Sequence, residues 1–203
     1  MQLYSSELAP SPLKVLVFIA EKGIKDIEVV NVDLGKLEHK TPEYKAIAPN
    51  SRVPALKLDD GTIILETTAI CRYLESLYPE PNLFGQSPLE IASIEMWYSR
   101  ITYELATPLA HGFRHTHPHM SQMEDQNNEF GLAQRELGVK ALEIYNEIIA
   151  TRAFIAGDNF SYADIQMAIN LKFLVRLNRL DIENYKNLNE YINQVYSRPS
   201  FSV

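Results

Sequence analysis

SRVPALKLDDGTIILETTAICRYLESL, residues 51–77, decides how this chain folds. Val53-Pro54 opens an apolar run, Ala55, Leu56 and Leu58, with Lys57 and Asp59 alternating outward as in a half-buried strand. Asp60-Gly61 is a hairpin turn signal, and Thr62–Leu65 is the returning strand. Glu66-Thr67 then starts a helix whose apolar face is Ile70, Tyr73, Leu74 and Leu77. Pro54 has no N–H, so it sits best at a strand's first position, and the Val53-Pro54 bond can be cis. A cis bond turns the Val53 N–H and C=O outward, where an extended peptide can pair with them. Glu66 and Thr67 stand where helix N-terminal N–H groups hold a carboxylate while an acid takes an ammonium. A small ligand with an amino-acid head and a peptide backbone suits all three features.

Upstream, Gln2–Ser5 reads as a strand and Ser6–Pro12 as a loop, because Pro10 and Pro12 flank Ser11 and forbid regular pairing. Leu13–Lys22 has helical spacing and ends at Gly23; Ile27–Val32 is a β-branched strand. Gly35–Tyr44 is polar and irregular, with Thr41-Pro42-Glu43 able to cap one helical turn. The order β-α-β-α-β-β-α is that of an α/β thioredoxin-like domain over residues 1–78, a mixed sheet with helices on both faces. Three prolines and a glycine in Tyr78–Pro88 mark a linker, bounded as residues 79–88. Beyond it, Leu89–Ala110, Met123–Thr151, Tyr162–Leu177 and Tyr185–Tyr196 read as helices, which makes residues 89–203 an all-α domain. There Ser161 and Asp164 form a capping box, with Phe160 and Ile165 as its staple.

A net charge of −7 argues against phosphate-backbone binding, so no nucleic-acid partner is expected. The single cysteine, Cys71, excludes an internal disulfide and suits a reducing, cytoplasmic setting. It has no Cys-x-x-Cys partner and reads as a small buried hydrophobe, which speaks against thioredoxin-type redox activity. The start MQLYSSELAPSPLK lacks a secretory signal pattern, and the longest apolar run, Val15–Ala20, is too short to span a bilayer.

The pattern V-P-A-L-x-L-x-D-G-x-x-I-x-E-[ST]-x-A-I resembles the glutathione-binding half of the cytosolic glutathione transferases, and the likeness runs from Leu3-Tyr4 to Arg198-Pro199. The resemblance implies glutathione as co-substrate, no metal, and a two-fold homodimer with the active cleft between domains. It implies thiolate addition to a small hydrophobic electrophile. It also implies that Val53, Pro54, Glu66 and Thr67 hold the peptide and its head, while His39, Lys40, Asn50 and Arg52 take the glycine carboxylate. Arg52 stands where similar members carry a glutamine, and a guanidinium pairs a carboxylate bidentately. Two other classes stay open: a non-catalytic adaptor on the same fold, as in translation-factor and RNA-polymerase-associated relatives, and a glutathione-dependent peroxidase or isomerase.

The thiol needs a donor or a positive potential to ionise near neutral pH. Aligned with the family, Ala9 falls at the serine of serine-type members and Pro10 at the cysteine of cysteine-type members. The usual activator is therefore missing. Ser5, Ser6 or Ser11 can supply a hydroxyl from the same loop, and the N–H groups entering the following helix add a dipole. The second source is LAHGFRHTHPHM, residues 109–120, with Arg114 and four of the chain's five histidines. This segment is similar to an atypical fungal-type subfamily that lacks the N-terminal hydroxyl, and it singles out Arg114 and His115. His111 and His115 share a helical face, spacing a metal can also use, but no acid or cysteine is near and Pro118 ends the helix. Trp97, Tyr98, Tyr103 and Phe113 read as core aromatics, some of which can instead line a pocket.

Overall fold

The computed structural model describes residues 1–7 and 9–202; Leu8, within the expected loop, and Val203, at the end of the expected helical domain, lie outside the described residues. The chain divides into two compact units, Met1–Leu83 joined by the segment from Ser200 on, and Phe84–Pro199.

In the first unit, β1 (Gln2–Ser5), α1 (Pro10–Lys22), β2 (Glu28–Asn31), α2 (Pro42–Lys45), β3 (Ala55–Lys57), β4 (Ile63–Leu65) and α3 (Thr67–Leu77) follow the expected order. A short 3₁₀ turn, Glu38–Lys40, precedes α2, whose N-cap Thr41 accepts the Tyr44 N–H at 3.3 Å. The sheet runs β2-β1-β3-β4, with β1 parallel to β2 and antiparallel to β3. Alternation splits its two faces. Tyr4 and Ala55 pack with Tyr44, Ala48 and Val32 on the α2 side. Leu3 and Leu56, paired in register and fully buried, point to the opposite face.

The largest boundary difference in this unit is at α1, which starts at Pro10, not Leu13. In the second unit the helix expected from Met123 starts at Asn128, and the one expected to end at Ala110 continues to Thr116. Pro10 and Pro12 both fall in the first turn of α1, where their missing N–H groups have no intrahelical acceptor and φ is already helical. Gly23 ends the helix at φ 64, its N–H reaching the Ala20 C=O and the Ile24 N–H the Ile19 C=O. Lys22 closes the unit. Its buried ammonium meets the Glu75 carboxylate at 2.5 Å and donates to the carbonyls of Tyr78, Pro79 and Pro81 at 2.9, 3.3 and 2.6 Å. The Glu75 carboxylate also accepts the Leu83 N–H at 3.1 Å, which folds the proline-rich segment back onto α1 and α3.

The second unit comprises α4 (Pro88–Arg100), a π-helical segment (Ile101–Ala106), α5 (Thr107–Thr116), a 3₁₀ turn (Pro118–Gln122), α6 (Asn128–Ile149), α7 (Tyr162–Leu177) and α8 (Lys186–Tyr196). The widened segment has a local cause: Pro108 cannot donate to the Glu104 carbonyl and its ring crowds that turn. Helices α5 and α6 approach closely because a Cβ at Gly131 would meet His115 and Thr116 within 2.8 Å, and one at Gly138 would meet Leu109 at 2.6 Å. The start of α7 is tied by Asp164, whose carboxylate accepts the Ser161 N–H (2.8 Å) and hydroxyl (2.9 Å), the Ile155 N–H (2.8 Å) and the Tyr191 hydroxyl (2.6 Å). Burial pushes that carboxyl up while these hydrogen bonds pull it down. Trp97 joins the core with Arg100 and Arg152 over its ring, whereas Tyr103, an expected core aromatic, is 73% exposed.

Candidate functional site

The register of the sheet gathers most of the candidate residues at one end of the first unit. Ala55 pairs with Leu65 and with Tyr4, so Val53-Pro54 is flanked by Glu66-Thr67 on one side and by Ser5-Ser6 on the other. Adjacent strands lie ~4.8 Å apart. The N-termini of α1 and α3 open at the same end, as does the segment leaving β2, where the Val32 N–H donates to the Ser5 C=O at 2.7 Å.

Each flank carries groups with unmet capacity. The Val53-Pro54 bond is cis, and among the described residues no hydrogen bond outside the strand ladders takes up the Val53 N–H or C=O. Glu66, the N-cap of α3, holds φ 71 and ψ 125, a region costly for a residue with a Cβ. Its exposed carboxylate makes no hydrogen bond to the helix and has no ion-pair partner among the described residues. Thr67, half-buried, is the first residue of that helix.

The loop before β3 is tightly held through its backbone. The Asn50 side chain accepts the Arg52 N–H at 3.2 Å, and the Tyr44 hydroxyl donates to the Arg52 C=O at 2.8 Å. The Arg52 guanidinium stays exposed, and none of the described residues pairs with it. Asn50 therefore shapes the loop through its Oδ1, while none of the described residues takes up its exposed amide N–H2. His39 is half-buried on the 3₁₀ turn, its Nδ1 enclosed and without a partner; burial first, and Lys40 second, hold its pKa below the usual imidazole range. Lys40 beside it is exposed.

At α1 the donors reduce to one residue. Pro10 and Pro12 have no N–H, the Ala9 N–H reaches the Ser6 C=O at 3.5 Å, and Ala9 makes no side-chain cap. The Ser11 N–H is left, together with a half-buried hydroxyl that no described residue engages. Ser5 and Ser6 are both buried, and the Ser5 Oγ is sealed from solvent without a hydrogen bond. One turn on, Lys14 is a buried lysine that sequence reading passed over; burial pulls its ammonium down to about 8, against a smaller opposite effect of Cys71. The signal was a charge inside the apolar run Pro12–Phe18.

Arg114 and His115 lie in the second unit and are already engaged. The Arg114 guanidinium pairs with Glu124, and its carbonyl accepts from Gln126 at 2.8 Å. The His115 Nδ1 accepts the Asn127 N–H at 3.2 Å, and its ring meets Phe130 edge-on at 5.1 Å. Both fasten the turn between α5 and α6.

A family model described as "Glutathione S-transferase, N-terminal domain" matches residues 10–77, and "Glutathione S-transferase, C-terminal domain" matches residues 108–199. The chain belongs to the glutathione S-transferase family. It is 34% identical to glutathione S-transferase 2 of Saccharomyces cerevisiae over 98% of this chain and 87% of that protein. The crystal structure of Gtt2 from the same yeast superposes with a TM-score of 0.88, covering 98% of both chains. A glutathione S-transferase domain-containing protein of Marinobacter aquaeolei gives 0.89 at 34% identity, covering 98% and 99%. A class Gtt2 transferase of Vibrio parahaemolyticus gives 0.86 at 30% identity, covering 99% and 95%.

Proposed function

We propose that the chain binds glutathione at the strand end of its first unit and adds the thiolate to a small hydrophobic electrophile. One observation carries this reading: the register that sets Val53-Pro54 beside Glu66-Thr67, with the Val53 backbone and the Glu66 carboxylate both unengaged. The cysteinyl backbone of glutathione pairs with Val53 as a short added strand. Glu66 takes the γ-glutamyl ammonium, the first N–H groups of α3 take its carboxylate with Thr67, and Arg52, His39 and Lys40 take the glycine carboxylate. Asn50 and Tyr44 hold Arg52 in place.

The thiolate is stabilised by Ser11, through its N–H and hydroxyl at the positive end of α1. Geometry favours this donor over the helical route, because Arg114 spends its charge on Glu124 and His115 its Nδ1 on Asn127. The sulfur then bonds to the electrophilic carbon. The displaced pair departs with the leaving group or, in an addition, moves from the π bond onto the electron-withdrawing atom, which takes a proton from water.

The active form is a homodimer. Leu89, Met96 and Tyr103, and likewise Phe130, Leu137 and Ile144, repeat every seven residues and are all exposed, two apolar stripes along helices of one unit. The buried lone Cys71 is in keeping with a reducing, cytoplasmic setting.

Calorimetric titration with glutathione tests the reading, followed by a panel of electrophiles. Binding is expected, and Glu66→Ala weakens it by about 1.5–3 kcal/mol, the range for a hydrogen bond to a charged group. No heat at millimolar glutathione sinks it and leaves a non-catalytic adaptor on the same fold.

A further inference from the structure

The positive end of α1 is short of donors. A helix leaves its first four N–H groups without acceptors of its own, and together they make that end positive. In α1 these positions are Ala9, Pro10, Ser11 and Pro12; the prolines have no N–H, and the Ala9 N–H reaches the Ser6 C=O at 3.5 Å. Only the Ser11 N–H is left to face a sulfur anion, beside the Ser11 hydroxyl. Both are dipoles, and neither brings a net charge.

A net charge stands one turn further along. Lys14 follows Ser11 by three residues, so the two are neighbours on the surface of α1, about 4.5 Å apart along its axis. Lys14 is 7% exposed, in a stretch where Val15, Val17 and Phe18 are fully buried. Long helical side chains lean back toward the helix N-terminus, which carries the Lys14 stem toward the Ser11 turn. Among the described residues no acid pairs with its ammonium and no acceptor takes a hydrogen bond from it. The group that acts on its charge is the Cys71 thiol, itself one turn into α3. Lys22, eight residues on, shows the contrast: its buried ammonium is matched by Glu75 and three carbonyls. Burying an ammonium without such partners works against folding, so a gain elsewhere has to offset it. With its pKa at about 8, Lys14 still carries its charge at pH 7.

We propose that the Lys14 ammonium, from beneath Ser11, stabilises the glutathione thiolate by its charge. The assignment rests on the glutathione reading above and adds to it the source of the positive potential. The S–H bond breaks with its proton passing to water, and the electron pair stays on sulfur. That anion gains from a cation held in a low-dielectric surrounding, where a charge acts over a longer distance than in water. Ser11 orients the sulfur by hydrogen bonding; Lys14 acts through its field, without contact.

Ultraviolet titration of the bound thiol in Lys14→Met and Lys14→Arg tests it, beside calorimetry with S-methylglutathione, which has no thiol to ionise. In Lys14→Met the bound thiol's pKa rises by about one unit, which cuts the thiolate fraction about tenfold at any pH below it. Lys14→Arg keeps the charge and brings the titration back toward wild type. Affinity of Lys14→Met for S-methylglutathione stays within about twofold of wild type, because no thiolate forms on that ligand. Tm of Lys14→Met holds or rises, since an unpaired buried charge has gone; a merely structural lysine would lower it. Should Lys14→Met fail to fold, Lys14→Gln serves in its place. An unmoved thiol titration in Lys14→Met, or an equal rise in Lys14→Arg, overturns the assignment and leaves the glutathione site standing. No uptake of S-methylglutathione by wild type at millimolar concentration removes the site itself and Lys14's part in it.

Discussion

The Tyr44 hydroxyl donates to the Arg52 carbonyl at 2.8 Å and so fastens α2 to the loop that leads into Val53. Burial holds its phenol protonated, with the pKa pushed up to about 12 and Tyr4 adding in the same direction. Tyr44→Phe is expected to cost about 0.5–1.5 kcal/mol of stability and to weaken glutathione binding, because Arg52 loses an anchor. The pH dependence separates this bond from general packing. A raised folded-state pKa means stability is intact below the unfolded value near 10 and is lost as pH climbs toward 12. Urea midpoints at pH 8 and pH 11 should therefore fall more in wild type than in Tyr44→Phe; parallel curves would detach Tyr44 from the loop.

Arg52 distinguishes the free glycine carboxylate from its amide. Arg52→Ala should weaken glutathione more than the glycine-amide analogue, measured by calorimetry; equal losses remove Arg52 from the site. His39 adds a proton signature. Its depressed pKa lowers the charged fraction of the ring in the free protein, and an arriving carboxylate favours the charged form. Binding near pH 6 should then take up protons from the buffer, and the uptake should vanish in His39→Gln. In the free protein the same depression means that stability rises with pH through the window just below 6.5.

The donor at the sulfur can be read from the thiolate's ultraviolet absorbance. Ser11→Ala is expected to raise the bound thiol's pKa by about one unit, equivalent to about 1.4 kcal/mol. Arg114→Ala and His115→Ala should leave that titration in place while lowering Tm, since both residues fasten the turn ahead of α6. A raised thiol pKa in either helical variant, with Ser11→Ala unchanged, would return the role to α5.

Lys22 is the closure of the first unit. Lys22→Met leaves Glu75 buried without its partner and should cost about 3–5 kcal/mol. Adding Glu75→Gln should recover part of the loss in a double-mutant cycle. Additive losses in denaturant titrations would show that the pair is not coupled.

Leu137 sits mid-stripe on α6, 52% exposed. Leu137→Glu should leave Tm of the isolated chain nearly unchanged, as most surface changes do, and shift sedimentation from dimer to monomer. An unchanged sedimentation coefficient places the dimer contact elsewhere.

What reads directly from the sequence is what short-range physics controls. Asp60-Gly61 specifies a two-strand turn, Gly23 a left-handed helix end, and Ser161 with Asp164 a helix start, each from residues a few positions apart. Alternation across residues 53–65 then sets the β3–β4 register, and with it the placing of Pro54 beside Glu66. The start of α1 is not legible in the sequence, because Pro10 and Pro12 fit a loop and a first helical turn equally well. That choice depends on whether the segment packs, not on its own chemistry.

What the tertiary structure decided is which of those side chains remain available. Arg114 and His115 look free in sequence, yet their partners stand ten and twelve residues on, across a turn whose path no local pattern sets. Asn50 turns out to shape the loop that presents Arg52, and Lys14 is buried on a helix face whose depth depends on the packing around it. The sequence by itself determined the backbone frame and the residue types at its strand ends, because periodicity, turns and caps act over a few residues. Only the folded chain determined which donors and charges are spent within the protein, because that competition is settled between groups distant in sequence and brought to hydrogen-bonding range by packing.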